Sequence, residues 1–222
     1  MIFIRGKKVL ISLGGTFEPL DSVRGITNRS SGKMGLALAK QAYIMGADVT
    51  LIVAHVSVEI SPLFNVIRVE TSKEMAEVTF DLVKDFDIFI STAAISDFEV
   101  VGRKNKKISS ESSLSINLKP TIKIIRNIKK INPDIFLVGF KAEFNITRDE
   151  IIYCARKQIN DAGTDIVVAN DVSTIVSFNL CFGLCIPGVS VNIICEFSLF
   201  TIPFIAVLVV CTLFAIAATF SP

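Results

Sequence analysis

The chain has 222 residues, which is enough for one medium-sized domain or for one domain with an appendage. Its formal net charge of +2 at pH 7 gives no reason to predict a nucleic-acid partner or a strongly acidic one. Every lysine and arginine lies in residues 1–173, whereas Glu196 is the only charged residue from Thr174 to Pro222. The sequence therefore divides into a charged body, 1–173, and an apolar tail, 174–222.

Cysteine usage indicates a reduced compartment for the body. Of the 5 cysteines only Cys154 lies there, and a zinc site at Cys181 and Cys185 is disfavoured because no histidine or second cysteine pair lies nearby. The apolar run after the basic N-terminus is short and ends at two glycines, so no signal peptide is predicted. We expect a cytoplasmic body.

The body alternates short apolar strands with amphipathic helices, which predicts βαβ units and an α/β, doubly wound, mostly parallel, Rossmann-like sheet. Ligands of such sheets bind beyond the carboxyl ends of the strands. The predicted strands cover Lys8–Gly15, Ala47–Ala54, Asp87–Ala94, 134–143 and Asp165–Asn170. The predicted helices cover Lys33–Gly46, 73–86 after Thr71, 120–131, and Thr147 to about Gly163.

The first strand end leads into a polar loop, "GITNRSSGKMG", from Gly25 to Gly35. Glycines 14 and 15 let a ligand approach the backbone, and Ser30, Ser31 and Gly32 present hydroxyls and amides at a helix N-terminus, which suits a phosphate or carboxylate. The loop matches neither the P-loop nor the dinucleotide fingerprint. The alternative is a connecting loop with a capping serine.

Residues 14–35, "GGTFEPLDSVRGITNRSSGKMG", closely resemble the signature of the phosphopantothenoylcysteine synthetase family, the ligase half of the bifunctional coenzyme A biosynthesis protein. Four further segments continue the resemblance in order: "STAAISDF" (91–98), "KKISS" (106–110), "GFKAE" (139–143) and "DIVVANDVS" (165–173). The resemblance implies that CTP, with ATP left open, activates the carboxylate of 4′-phosphopantothenate as an acyl-nucleotidylate with loss of pyrophosphate. The amine of cysteine then forms the amide and CMP leaves, with Mg²⁺ required.

The resemblance also implies roles for single residues. Asn28 handles the acyl intermediate, and Lys107 belongs to a flexible loop that closes on the triphosphate; no protein ligand to a metal is implied. The implied substrate-binding set is Gly14, Gly15, Thr16, Arg24, Asn28, Ser30, Ser31 and Gly32. The implied nucleotide-binding set is Ser91, Thr92, Ala93, Asp97, Lys107, Ile122, Lys123, Ile124, Ile125, Phe140 and Lys157.

Each of these residues has a structural alternative. Asn28 suits a turn, Arg24 a surface salt bridge, Lys107 a solvated charge run and Phe140 a core position. Two family lysines align with Gln158 and Ala162, so either triphosphate affinity is reduced or Lys157 substitutes. The family's decarboxylase domain is absent, which makes a separate decarboxylase a candidate partner.

The tail departs from the family, which continues with a strand region and a polar final helix. Residues 197–220 carry no charge and are long enough to cross a bilayer. Three interpretations stay open: a C-terminal membrane anchor, a reading-frame error and a buried subdomain. A homodimer is expected if the C-terminal region folds.

The leading hypothesis is therefore an amide-forming ligase. A membrane-tethered or inactive nucleotide-binding relative is the alternative, supported by Gln158, Ala162 and the tail. An NAD(P)-dependent reductase is disfavoured, because the glycine fingerprint is missing and the second strand ends at Ala54-His55 without an acid.

Overall fold

The computed structural model describes residues 4–173 and the two strands 180–186 and 189–197. Within these residues, one large sheet forms the centre of the molecule, and two small two-stranded sheets are separate from it. The elements in chain order are β1 (Lys8–Leu13), β2 (Phe17–Pro19), β3 (Gly25–Thr27), α1 (Lys33–Ile44), β4 (Asp48–Val53), β5 (Asn65–Arg68), α2 (Ser72–Leu82), β6 (Ile88–Ser91), β7 (Phe98–Val100), β8 (Leu118–Pro120), α3 (Ile125–Ile131), β9 (Phe136–Glu143), α4 (Arg148–Ala162), β10 (Ile166–Asp171), β11 (Leu180–Ile186) and β12 (Val189–Phe197).

The described part of the large sheet has the strand order β12-β11-β10-β9-β6-β1-β4-β5. Six neighbouring strands are parallel to one another, namely β10, β9, β6, β1, β4 and β5, whereas β11 and β12 run antiparallel to their neighbours. The chain moves outward from β1 through β4 to β5 and then returns to β6 on the other side of β1. The order therefore reverses between β1 and β6, and a ligand crevice is expected beyond the ends of these two strands.

Alternating side chains of β1 supply the cores on both faces of the sheet. Val9, Ile11 and Leu13 pack in a cluster with helix α1, and Leu10 packs in the opposite cluster with α2 and α3. A strand buried on both faces must read as a continuous apolar run, which explains why β1 was predictable from the sequence. Helix α4 covers β10 through a third cluster that includes Ile151 and Val167.

The capping residues define where the predicted helices begin. Thr147 accepts a hydrogen bond from the Glu150 amide (3.4 Å), and the Glu150 carboxylate accepts one from the Thr147 amide (2.8 Å), which completes a capping box. Hydrogen bonds from the Thr147 amide and from the Thr147 hydroxyl (2.8 Å) to the Glu150 carboxylate hold the pKa of Glu150 below its usual range. At α2 the Thr71 hydroxyl also accepts from the Glu74 amide, but the Glu74 carboxylate accepts from the amide of Glu70 instead. Helix α3 begins at Ile125, five residues later than predicted, because Pro120 ends strand β8.

Several short elements were not predicted. Strands β2 and β3 pair within the loop that follows β1, β7 pairs with β8, and β5 forms the edge of the large sheet. Strands of three or four residues are too short to show an alternating pattern.

The tail adds two strands to the large sheet. Strand β11 pairs with β10, and β12 pairs antiparallel with β11, where the sequence analysis predicted no strand. The alternation of apolar and polar residues from Val189 to Ile193 was an overlooked signal for a strand. The candidate membrane span 197–220 lies outside the described residues except for Phe197. In the described part of the chain, no helix combines the length and the apolar character needed to cross a bilayer.

The capping box of α4 yields a stability prediction. Thr147→Ala removes the side chain that satisfies a helix N-terminal amide, so we expect the free energy of unfolding to fall by about 1 kcal/mol in a urea titration. Ser113→Ala, at an exposed position, serves as the control and is expected to change it by less than about 0.5 kcal/mol. Equal effects of the two substitutions would contradict the capping role.

Candidate active site

The backbone of Gly14 and Gly15 forms the floor of the crevice. The Gly15 amide donates to the His55 carbonyl (2.9 Å), and the Ala94 amide donates to the Gly14 carbonyl (2.8 Å), so the two glycines bridge the ends of β4 and β6. Gly14 has φ +90°, and a Cβ there would lie 2.5 Å from the His55 carbonyl oxygen. Only glycine fits this position without strain.

Asn28 lies directly above this floor. Its side-chain amide donates to the carbonyls of Ala94 (3.3 Å) and Ile95 (3.2 Å), just beyond the end of β6. A Cβ on Gly15 would lie 2.5 Å from the Asn28 carbonyl oxygen, so the loop and the floor are in close contact. Asn28 is nevertheless exposed, and its two hydrogen bonds are long enough to be exchanged for bonds to a ligand.

Thr16 belongs to the frame of the site. Its side chain is buried and accepts a hydrogen bond from the Ser96 amide (2.9 Å), and its carbonyl accepts one from the Thr27 hydroxyl (2.8 Å). The hydroxyl predicted to bind substrate is therefore engaged within the protein. It joins the loop after β1 to the loop after β6.

The sequence predicts that the amino-terminal end of α1 binds an anion, and the structure gives the capping geometry of this end. Gly32 is the N-cap with φ +76°, and the Ser31 hydroxyl accepts from the Lys33 amide (3.4 Å). Ser31 is exposed, Ser30 is half-buried and the first turn contains no acid. This helix end therefore keeps its positive partial charge available to an anion.

Two groups of the predicted nucleotide-binding residues lie at and beyond the end of β6. Thr92 donates its hydroxyl to the Ser12 carbonyl (2.6 Å), which holds residues 91–93 against β1. Further along, the Thr121 hydroxyl donates to the Ser96 carbonyl (2.6 Å), so residues 121–124 run beside Asp97. Lys123 forms an ion pair with Asp97, and both side chains are exposed.

Not all members of the nucleotide-binding set share one face of the sheet. Phe140 is half-buried and packs against the cluster under α1, whereas Ile124 and Ile125 belong to the cluster under α2 and α3. Ile122 is 50% exposed and belongs to neither cluster. The structure therefore brings 121–124 to Asp97, but it does not bring Phe140 to the same face.

Helix α4 presents glutamine, not lysine, to the sheet. The amide nitrogen of Gln158 is buried, has no hydrogen-bond partner among the described residues, and would lie 2.1 Å from a Cβ on Gly139. Lys157 is exposed, so it lies on a different side of the helix from Gln158. Ala162 is buried and serves packing.

Arg24 and Lys107 belong to one structural unit. The guanidinium of Arg24 pairs with Asp21 (2.6 Å) and donates to the carbonyl of Ile108 (2.7 Å), the residue after Lys107. Lys107 itself is exposed.

Sequence reasoning missed two buried acids in the same loop. Glu18 accepts from the Ser72 amide at the start of α2 (2.8 Å), and the Asp21 side chain is fully buried. Two acids in a loop that otherwise suits anions were the signal in the sequence for a structural role of these residues.

A cleft of about 410 Å³ lies at the ends of β4 and β5. It is lined by Phe17, Val53, Ala54, His55, Arg68, Val69 and Glu70. Here a dinucleotide-binding sheet would place an acid directly after the second strand, but β4 ends at Val53 and is followed by Ala54 and His55. This weighs against the reductase interpretation.

Among the described residues, no group of three or more histidine, cysteine or acidic side chains is placed to hold a metal ion. Asp97 is the single carboxylate in the predicted nucleotide-binding set. This donor set fits Mg²⁺ that is bound mainly through phosphate oxygens, with one carboxylate at most.

Comparison with known proteins gives one family. The family model described as "DNA/pantothenate metabolism flavoprotein C-terminal domain" matches residues 4–180. The chain is 47% identical over 169 residues to the coenzyme A biosynthesis bifunctional protein CoaBC of Thermococcus kodakarensis, and 42% identical over 168 residues to that of Methanocaldococcus jannaschii. These matches cover 75% and 76% of the chain but only 42% and 41% of the relatives.

Solved structures agree with this fold. The DNA/pantothenate metabolism flavoprotein from Streptococcus pneumoniae superposes with a TM-score of 0.84 at 27% identity, covering 95% of this chain and 99% of that one. The C-terminal domain of a CoaBC protein superposes with a TM-score of 0.79 at 25% identity, covering 99% of this chain and 100% of that one.

The close approach of α1 to the sheet predicts the sign of the stability change for a glycine substitution in this helix. Glycine to alanine within a helix ordinarily stabilises a protein by about 0.5–1 kcal/mol. At Gly35 the new Cβ would lie 2.6 Å from the Leu13 Cβ and 2.5 Å from the Thr92 hydroxyl oxygen. We therefore expect Gly35→Ala to lower the free energy of unfolding by about 1–3 kcal/mol in denaturant titrations.

Lys40→Ala, at an exposed position on the same helix, is the control and is expected to stay within about 0.5 kcal/mol of the parent protein. A more stable Gly35→Ala protein would show that the helix does not approach the sheet as closely as described.

Proposed function

The chain belongs to the DNA/pantothenate metabolism flavoprotein C-terminal domain family, and from that premise we propose that it is an amide-forming ligase. It joins the carboxylate of 4′-phosphopantothenate to the amine of cysteine. The observation that carries the proposal is the polar loop of residues 25–35, whose Asn28 lies above the reversal point of the sheet. Relatives at 42–47% identity, named as coenzyme A biosynthesis proteins, support the pathway.

The proposed reaction has two steps. A carboxylate oxygen attacks the α-phosphorus of CTP, and the bond to pyrophosphate breaks. The cysteine nitrogen then attacks the acyl carbon, the acyl–phosphate bond breaks, and CMP leaves as the amine loses a proton. Both steps bring anions together, so they need positioned donors and cations more than a nucleophile from the protein.

We assign the acid to the side of β1 and the polar loop. The Asn28 amide is exposed at the crevice and donates hydrogen bonds without carrying a charge, which suits a developing acyl oxygen. The amino-terminal end of α1, with Ser31 and Gly32, attracts a negatively charged group at the same edge.

We assign the triphosphate to the side of β6 and residues 121–124. Residues 91–93 are small and half-buried, which lets a nucleotide lie close to the sheet. Asp97 and Lys123 neutralise each other when no ligand is bound, and a polyphosphate with its metal offers each of them a new partner. When bound, Mg²⁺ supplies charge neutralisation at the phosphate oxygens.

The environment of Gln158 favours a second candidate function, a nucleotide-binding protein without ligase activity. Its uncharged amide stands next to Gly139 at a position where the family resemblance implies a lysine. An amide attracts a triphosphate less strongly than an ammonium group does, because it carries no net charge. This candidate predicts CTP binding without pyrophosphate release.

Exposed apolar side chains support the proposed homodimer. Phe98, Leu118 and Ile122 are each 45–50% exposed on and beside the β7–β8 hairpin. Apolar side chains grouped in this way are typical of interaction surfaces. The matched relatives are bifunctional by name, and the match spans 42% of the first one.

A coupled assay tests the proposed function. The chain is incubated with 4′-phosphopantothenate, cysteine, Mg²⁺ and CTP, and pyrophosphate is followed. Release that depends on 4′-phosphopantothenate is the expected result, and ATP in place of CTP shows which nucleotide is used. Binding of CTP without release would favour the second candidate, and oxidation of NADPH would favour a reductase.

Asn28→Asp is predicted to separate the two steps. The aspartate cannot donate a hydrogen bond to the acyl oxygen, so amide formation should slow about 100-fold while pyrophosphate release continues. Single-turnover measurements of both products check this result. Asn160→Asp adds the same charge at an exposed position on α4 and should leave both steps unchanged. Equal losses in both steps for Asn28→Asp would contradict the assigned role.

A further inference from the structure

Asp21 is a buried acid that the proposed chemistry does not use. Its side chain is fully buried and accepts hydrogen bonds from the amides of Val23 (2.8 Å) and Arg24 (2.8 Å). The guanidinium of Arg24 adds two more hydrogen bonds, at 3.0 and 2.6 Å. A carboxylate with this many donors holds its surroundings in place, because displacing it would leave a buried charge unpaired.

One donor to Asp21 comes from a distant part of the chain. The Ile108 amide donates to the Asp21 carboxylate (3.1 Å), and the Ile108 carbonyl accepts from the Arg24 guanidinium (2.7 Å). The Asp21–Arg24 pair therefore binds both backbone groups of one residue. A further backbone bond, from the Lys104 amide to the Leu20 carbonyl (3.1 Å), attaches the same segment nearby.

The segment is fixed at its two ends by the pairing of β7 with β8 and by the bond from the Val101 amide to the Asn117 carbonyl (2.9 Å). Of residues 101–120, all of which the structure describes, every residue except Ile108 is exposed. The segment contains Lys104, Lys106 and Lys107, and its apolar side chains contribute to neither core cluster of the sheet. Between its paired ends, the position of the segment relative to the crevice therefore depends on the bonds at Lys104 and Ile108.

The Asp21 carboxylate also stays charged. Hydrogen bonds from the Arg24 guanidinium and from the Ile108 amide hold the pKa of Asp21 well below its usual range. Asp21 is therefore ionised at neutral pH.

We propose that Asp21 is a positioning residue which, together with Arg24, anchors the lysine-rich segment and holds Lys107 beside the crevice. Arg24 immediately precedes β3 and Asn28 immediately follows it, so four residues of extended chain, about 13 Å, separate the anchor from the Asn28 backbone. An ammonium group held near that point binds the polyphosphate of a nucleoside triphosphate with less loss of chain entropy than one on a free loop. The inference rests on the proposed function for its ligand.

The anchor implies a different part for Arg24 from the one that the sequence suggested. Three of the five N–H donors of the Arg24 guanidinium are engaged by the Asp21 carboxylate and the Ile108 carbonyl. Arg24 therefore also has a structural part, which it exerts through Ile108.

Limited trypsin digestion without substrates tests the anchor by itself. Trypsin cleaves after lysine and arginine, and Arg103, Lys104, Lys106 and Lys107 all lie in the exposed segment. Asp21→Asn and Arg24→Lys should be cleaved there about tenfold faster than the parent protein, because each loses charge-assisted bonds to Ile108. Mass spectrometry of the fragments identifies the bonds that are cut.

Asp87→Asn is the matched control. Asp87 also accepts from a lysine side chain (2.9 Å) and a backbone amide (2.8 Å), but it lies at the opposite edge of the sheet, before β6. The segment of the Asp87→Asn protein should be cleaved at the same rate as that of the parent protein. Parent-like cleavage of both Asp21→Asn and Arg24→Lys would overturn the anchor, and if Asp21→Asn does not fold, Arg24→Lys decides alone.

Kinetics then test whether the anchor serves Lys107. With CTP and Mg²⁺, Asp21→Asn should raise the KM for CTP about tenfold and leave the KM for cysteine unchanged. Lys107→Ala should do the same, and the double variant should be no worse than either single one, because both changes remove the same interaction. Additive losses, or an unchanged KM for CTP, would overturn the positioning role. If the parent protein releases no pyrophosphate, the proposed function fails, and the digestion still decides whether the anchor exists.

Discussion

The close contact between Gly15 and the Asn28 backbone is the constraint on which the candidate site depends. No side chain larger than hydrogen fits at Gly15, since a Cβ there would lie 2.5 Å from the Asn28 carbonyl oxygen. The contact brings the Asn28 amide to the carbonyls of Ala94 and Ile95, and so joins the loop after β1 to the loop after β6. These are the two strands between which the strand order reverses.

Polar side chains, not an apolar core, hold the elements that surround this contact. Hairpins of three-residue strands bury too little surface to be stable by themselves. Thr16 bonds to the Ser96 amide, Glu18 to the Ser72 amide and Asp21 to the Ile108 amide, and all three side chains are buried. Each bond therefore fixes one loop against another with a directional contact that apolar packing does not provide.

The two sides of the crevice differ in how firmly their groups are held. On the side of β1, the backbone floor and the amino-terminal end of α1 are built from buried glycines in close contact with their neighbours. On the side of β6, Lys123 and its ionic partner Asp97 are both exposed side chains. A ligase of the proposed type needs this difference, because the acid must stay in place while a triphosphate enters and pyrophosphate leaves.

The sequence by itself determined the class of the fold, the order of its main strands and helices, and the family. Buried strands such as β1 read as continuous apolar runs, and the capping box at Thr147 and Glu150 marked a helix start, because both signals are local. The tertiary structure alone decided which candidates meet: Asn28 reaches Ala94, and Arg24 reaches Ile108, 84 residues away, whereas Phe140 and Ile124 lie on opposite faces of the sheet. Such pairings depend on strand order and loop path, which bring together residues whose separation along the chain carries no periodic signal.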